Sequence, residues 1–151
     1  KVGEDIVNFG RVNKIFDIKG ETLYYKPFFE EPHTGGIICS IPLKSLETSN
    51  IRKPISKDLC MTICKDLKTR INIREYMDAN DMTTLYNTNK ETDLVRVLKL
   101  LNQESKEREH GLSTSKKTIF DKAYASFVQE CAYARQTSID EAEAFVNKYL
   151  N

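Results

Sequence analysis

Ile51-Arg52-Lys53-Pro54-Ile55-Ser56 is the stretch at which this chain changes character. Before it runs a β-branched and aromatic sequence broken by Gly and Pro. After it come nearly a hundred residues with one Gly, Gly111, and no Pro. Pro54 removes a backbone donor and disfavours the α conformation at Lys53, so neither a strand nor a helix is expected to cross this point. The expected fold class is therefore α+β: a small β module over residues 1–56, then an all-α bundle over 57–151.

Toward the N-terminus, residues 5–18 alternate imperfectly between apolar and polar, with Gly10 as a bulge or turn. Lys19-Gly20-Glu21 reads as a hairpin turn. Thr22-Leu23-Tyr24-Tyr25-Lys26 is a strand, Glu30 to Gly36 a loop, and Ile37 to Ile41 a further strand stopped by Pro42. Short strands so closely punctuated predict a strongly bent barrel of the SH3 or Tudor type. About 55 residues are few for a self-sufficient core, so this module is expected to lean on a neighbour or a partner.

Past the hinge the apolar period becomes helical. Leu59, Ile63 (or Met61) and Leu67 mark a helix from Asp58 to about Arg70, and a second covers Ile71–Leu85, with a break near Asn80-Asp81. Thr88-Asn89-Lys90-Glu91 has capping-box spacing ahead of Leu94, Val95, Leu98 and Leu101. The polar run Asn102–His110 continues or frays that helix, and Gly111 ends it. Ser113 or Ser115 caps a helix bearing Ile119, Phe120, Ala123, Phe127, Val128 and Cys131. Ser138-Ile139-Asp140-Glu141 opens the last, with Ala142, Phe145, Val146 and Leu150. About five helices on short turns make a bundle.

With 40% hydrophobic and 30% charged residues, the composition is that of a globular chain, and 23 basic against 22 acidic residues give no bulk electrostatic case for nucleic acid. Neither a run of about 18 apolar residues nor a signal-peptide pattern is visible, so a cytoplasmic protein without a membrane partner is expected.

Catalysis finds little to build on: there is no Gly-rich phosphate loop, no GxSxG elbow and no metal-ligand cluster in the sequence. Cys60 and Cys64 share a helix face but belong to no CxxC, and His33 and His110 are remote from them. Buried thiols are the better reading, with a zinc site or an activated nucleophile as lesser ones. No enzyme activity, cofactor, metal or small-molecule substrate is expected.

Charge is locally segregated. Lys57, Lys65, Lys68, Arg70 and Arg74 outnumber Asp58 and Asp66, and Lys116, Lys117 and Lys122 open the strongest helix against Asp121. Together they would hold only a few phosphates, weakly and with strong salt dependence; ordinary solvated helix faces explain them equally well. The β module offers a second contact, since an incomplete barrel exposes strand edges that template pairing with a partner.

The order Tyr24-Tyr25, Ile38-Cys39-Ser40-Ile41-Pro42, Asn50-Ile51-Arg52-Lys53-Pro54-Ile55-Ser56 resembles the N-terminal module of CarD-like bacterial transcription regulators. Arg74-Glu75-Tyr76 sits where that family has Arg-Arg-Tyr, and Leu94-Val95-Arg96-Val97-Leu98 is similar to its third-helix core. Leu112 to Ala123 resembles its Leu-Ser-x-x-Glu-Lys-x-Met-Leu-x-x-Ala signature. The likeness spans almost the whole chain. It implies a Tudor-like domain binding the β subunit of bacterial RNA polymerase through Tyr24, Tyr25, Ile38, Cys39, Ser40 and Ile41. It also implies a helical domain at the upstream edge of the transcription bubble, stabilising the open complex and placing the protein at the nucleoid.

By family position Asn72, Arg74, Lys99 and Lys117, and by local charge Lys68, Arg70 and Lys116, are the expected contacts to promoter DNA, weak, non-specific and to the backbone. Three departures stand out. Asn72 occupies the place of a family Trp that wedges into the minor groove, and Asn cannot unstack a base step. Glu75 replaces the second arginine and repels phosphate. The opening Tyr-Pro-x-His-Gly loop is shortened to Val7-Asn8-Phe9-Gly10. The alternative is a protein-interaction module, on polymerase or another partner, whose helices do not engage DNA.

Overall fold

The computed structural model describes residues 1–29, 36–72 and 75–150. The loop expected at Glu30–Gly36 lies, Gly36 aside, outside the described residues, as does Arg74. The protein is α+β, with four antiparallel strands followed by five helices. It divides into Lys1–Pro54 and Ile55–Asn151. Ile55 and Ser56, assigned from sequence to the β module, fall in the helical unit. There Ile55 is buried, its N–H donating to Glu130 Oε2 at 2.8 Å, and Ser56 caps the first helix.

In the first unit β1 (Asp5–Asn8), β2 (Arg11–Lys19), β3 (Thr22–Pro27) and β4 (Cys39–Pro42) form a meander in sequence order. Phe9 and Gly10, at φ 53° and 70°, make the β1–β2 turn, so Gly10 separates two strands. Left-handed backbone at both corners matches strand twist, at a steric cost that falls on Phe9. Asn13, fully buried, braces this turn by donating from Nδ2 to the Asn8 and Arg11 carbonyls and accepting from Arg11 Nε.

The imperfect alternation of residues 5–18 has a structural cause. Register slips between Ile15↔Tyr25 and Asp17↔Tyr24, leaving Phe16 as a bulge. One extra residue restores Ile15 and Ile18 to the same face. That face carries the core of Ile6, Ile15, Leu23 and Tyr25, with Ile18, Cys39, Ile41, Leu43, Leu46 and Ile51 packed against it.

The second unit comprises α1 (Lys57–Leu67), α2 (Ala79–Asn87), α3 (Glu91–Glu107), α4 (Thr114–Arg135) and α5 (Ile139–Leu150). Helix α4 contacts each of the other four, and its buried residues include Ala123, Phe127, Val128, Cys131 and Ala132. Ser113 is its N-cap, accepting from Lys116 N–H, and Ser138 accepts from Glu141 N–H at the start of α5.

Three expectations are corrected. Leu59 is 38% exposed, because α1 turns Cys60, Ile63, Cys64 and Leu67 inward. The second helix begins only at Ala79, where Asp78 accepts from Asp81 N–H at 2.8 Å and so sets the start. Thr88 does not cap α3: its hydroxyl donates to Leu85 O and Asp93 Oδ2, Asn89 turns left-handed at φ 60°, and the helix opens at Glu91. No helix among the described residues is long and apolar enough to cross a membrane.

Candidate functional site

The two edges of the sheet differ. On β1, Val7 N–H donates to Arg52 O at 2.7 Å and Arg52 N–H to Val7 O at 3.3 Å, so the chain's own return past β4 closes that edge. On β4 the ladder phase decides what faces outward. Leu43 N–H donates to Glu21 O at 2.8 Å, and Ile41 and Cys39 pair with Leu23 and Tyr25. Alternation then aims the main-chain groups of 39, 41 and 43 at β3 and those of Ser40 and Pro42 away from it. Among the described residues no backbone hydrogen bond reaches Ser40 from outside. Pro42 has no N–H to lose, which suits an edge.

The six residues expected on this surface are not equivalent. Tyr25 is core, 2% exposed, its hydroxyl accepting from Asn8 Nδ2 at 2.9 Å. Burial pushes its pKa up, with the Asn8 hydrogen bond opposing. Cys39 and Ile41 are half-buried on the core face, Cys39 within 3.7 Å of Arg11 Nη2. Tyr24 is half-buried, its ring 6.4 Å from that of Phe16. Ser40 and Ile38 are exposed, Ile38 at 63%. A partner strand would therefore meet Ser40 and Ile38 and leave Tyr25 untouched.

In the helical unit the expected cations separate into two groups. A cleft of about 220 Å³ between the end of α1 and α3 is lined by Lys68, Arg70 and Lys99, with Lys106, Gln103 and Glu107. Arg70 Nη2 lies 2.8 Å from Glu107 Oε1, and Lys99 Nζ 3.1 Å from Asp66 Oδ1. Lys68 places its ammonium 5.1 Å from the Tyr149 ring centroid, and Lys106 donates to the Leu150 carbonyl. Lys68 and Lys106 thus have no carboxylate partner among the described residues. Lys106 was not among the expected contacts; it lies in the polar run Asn102–His110, expected to continue or fray the helix, and α3 continues through it to Glu107.

Lys116 and Lys117 lie at the start of α4. Lys117 is exposed and 3.4 Å from Asp121. Lys116 is 8% exposed, and its Nζ lies 2.9 and 3.1 Å from the two oxygens of Glu104, itself 1% exposed. That ammonium faces the interior of the helical unit, since Glu104 extends the apolar stripe of α3 and needs a counter-charge there.

Asn72 follows a pinned residue. Gln103 accepts from Ile71 N–H at 2.9 Å and donates to Ile71 O at 2.7 Å. Further on, Tyr76 donates to Glu107 Oε2 at 2.9 Å, with the Arg108 guanidinium 4.7 Å from its ring centroid. That bond to a carboxylate raises the Tyr76 pKa first, with desolvation next. Asn72 and Glu75 themselves are exposed.

The cysteines make a third constellation. The Sγ atoms of Cys60, Cys64 and Cys131 all lie within 4.8 Å of one another, Cys60 and Cys131 at 2.8 Å, and all three residues are 0% exposed. Cys60 is pushed down to about 4, first by its hydrogen bond with Cys131 and then by that with Cys64, with Arg135 assisting against burial. For Cys64 the Cys131 bond lowers the pKa, but its bond to Cys60, burial and the charge on Cys60 outweigh that and bring it to about 12. Hydrogen bonds to Cys60 and Cys64, then burial, raise Cys131. A nucleophile at Cys60 or Cys64 would have no surface from which to meet a substrate.

Neither the family models nor the curated proteins include a match to this chain.

Proposed function

We propose that the chain is a non-enzymatic transcription regulator of the CarD-like kind. Its N-terminal sheet, read as an SH3- or Tudor-like half-barrel, docks on the β subunit of RNA polymerase by adding a strand at β4. Its helical unit touches the promoter backbone near the upstream edge of the bubble and modulates open-complex stability. The observation that carries this reading is the inequality of the sheet's edges among the described residues, β1 closed by Arg52 and β4 unpaired at Ser40. An unpaired edge is a template for a partner strand, and a tethered helical unit gains effective concentration at the promoter without strong contacts of its own. Lys68, Arg70, Lys99 and Lys106 in the cleft supply the backbone contacts.

Ser40→Pro tests the docking. It removes the outward N–H and leaves the ladder at 39, 41 and 43 in place. Capture of the polymerase β subunit should fall at least about tenfold, a loss of roughly 1.4 kcal/mol, with an unchanged circular dichroism spectrum and melt. Wild-type capture by a folded Ser40→Pro chain refutes strand addition.

A second reading, an interaction module whose helices do not engage DNA, is favoured by a specific observation. Arg70, Lys99, Lys116 and Lys117 each already face a carboxylate. Gel shifts with and without polymerase separate the two. With about two phosphates engaged, at Lys68 and Lys106, affinity should drop roughly 12-fold between 50 and 200 mM salt, and Lys68→Glu with Lys106→Gln should flatten that slope. Identical supershifts from wild type and the double variant at every salt concentration favour the second reading.

A further inference from the structure

The thiol cluster lies in the helical unit, independent of the edge and the cleft. Cys60 and Cys64 stand one turn apart on the inner face of α1, and Cys131 meets them from α4. Three cysteines used only as small apolar filler have no reason to bring their sulfurs to one point. The Cys60 and Cys131 sulfurs lie 2.8 Å apart. A metal–sulfur bond of about 2.3 Å sets two sulfurs on one ion roughly 3.8–4.0 Å apart. A single ion could thus reach all three if the Cys60–Cys131 contact opened by about 1 Å.

We propose that Cys60, Cys64 and Cys131 form a buried trithiolate site for one thiophilic d10 cation, clamping α1 to α4. Among the described residues no carboxylate or imidazole joins the group. An all-sulfur set selects Cu(I) or Zn(II) over magnesium, calcium or manganese. Complete burial leaves no room for a substrate, so the role is structural. Each thiol still protonated gives its proton to solvent as its sulfur binds, with no change of oxidation state. Three thiolates around Zn(II) leave one negative charge, and Arg135 stands one turn beyond Cys131 on α4. Cu(I) leaves more charge but accepts three sulfurs without a fourth ligand.

The test uses the full chain, purified without oxygen in a phosphine reductant and stripped by chelation. It is titrated with Zn(II) against a chromogenic chelator and, separately, with Cu(I) against a bicinchoninate competitor. One equivalent of at least one metal should bind, with a first shell dominated by sulfur in X-ray absorption and a raised melting temperature. Zinc alone, copper alone or both supports the site and names its ion. Cys64→Ser should weaken binding on the order of 100-fold or more, beyond the loss usual for a residue that merely supports a ligand. Cys39→Ser, in the other unit, should leave it unchanged. The proposal is overturned by uptake of neither metal, by a shell made mostly of nitrogen and oxygen, by undiminished binding in Cys64→Ser, or by loss of binding in Cys39→Ser. The absorption measurement on the wild-type chain decides even if Cys64→Ser does not fold.

Discussion

Lys116 was expected to grip DNA, and its placement predicts a different phenotype. Its Nζ lies 2.9 Å from Glu104 Oε1, and the two side chains are 10% and 1% exposed. Removing one partner of a buried pair leaves an uncompensated charge and costs about 3–5 kcal/mol. Arg108 Nε stays 3.4 Å from Glu104 Oε2, but its side chain is 47% exposed, so it offsets only part of that cost. Lys116→Ala also loses the approach of the ammonium to the Tyr76 ring, 5.9 Å from its centroid.

The net expectation is a loss near 3 kcal/mol, or a melting temperature lower by about 10 °C. Urea and thermal melts read it directly. Pairing Lys116→Met with Glu104→Leu should recover most of the loss, because a well-packed apolar pair replaces the charged one at little net cost. A loss below about 1 kcal/mol in Lys116→Ala, or a double variant no better than the single, would refute this account. The practical consequence is that Lys116→Glu should weaken any DNA binding by unfolding the helical unit. Lys117→Glu, at an exposed pair worth at most about 1 kcal/mol, should not.

Gln136 ends α4 at φ 55° with a side chain that dislikes left-handed backbone, so Gln136→Gly should raise stability by about 0.5–1 kcal/mol in urea melts. Tyr25 carries its proton more tightly folded than unfolded. Its contribution is therefore complete below pH about 10 and lost as pH rises through the raised folded value. Tyr25→Phe should forfeit about 1 kcal/mol at neutral pH through the Asn8 bond and blunt the alkaline decline, as fluorescence melts from pH 8 to 11.5 will show. In the reduced, metal-free chain iodoacetamide should label half-buried Cys39 first, and Cys60, Cys64 and Cys131 only as fast as the helices open. Rapid labelling of Cys60 by mass spectrometry would restore the nucleophile reading.

Legibility in the sequence followed how local the cause was. Ser113 and Ser138 were readable because a cap acts within three residues, and the α3 and α4 stripes because burial repeats with the helix. Thr88 had the same local spelling, yet its hydroxyl turned to Leu85 and Asp93 once α2 ended there. The Phe16 bulge could be seen only as damaged alternation, since its meaning lies in the register with β3. Nothing near Gln103 or Glu107 announces that they hold Ile71 and Tyr76, thirty or so residues away. For Lys116 the signal existed: Glu104 falls three residues after Leu101 on the apolar stripe of α3, and a carboxylate there requires a buried cation. The convergence of Cys131 on Cys60 and Cys64 depends on how α4 crosses α1, which no spacing encodes.

The same distinction between local charge and its partners governs the function. Counting lysines and arginines gives a basic surplus, but a phosphate that approaches Arg70 or Lys99 must compete with Glu107 or Asp66, already within ion-pair distance. Each such exchange trades one anion for another and returns little net attraction. Among the described residues Lys68 and Lys106 remain to add charge attraction without displacing a carboxylate, and two phosphates' worth of counterion release is a weak grip at physiological salt. Under the proposed reading, residence at a promoter would come from the docking of the β module and not from the helical unit's own charge. The edge at Ser40 is consequently the more informative place to cut: if it anchors the chain, losing one backbone N–H should remove both polymerase binding and the DNA contact that depends on it.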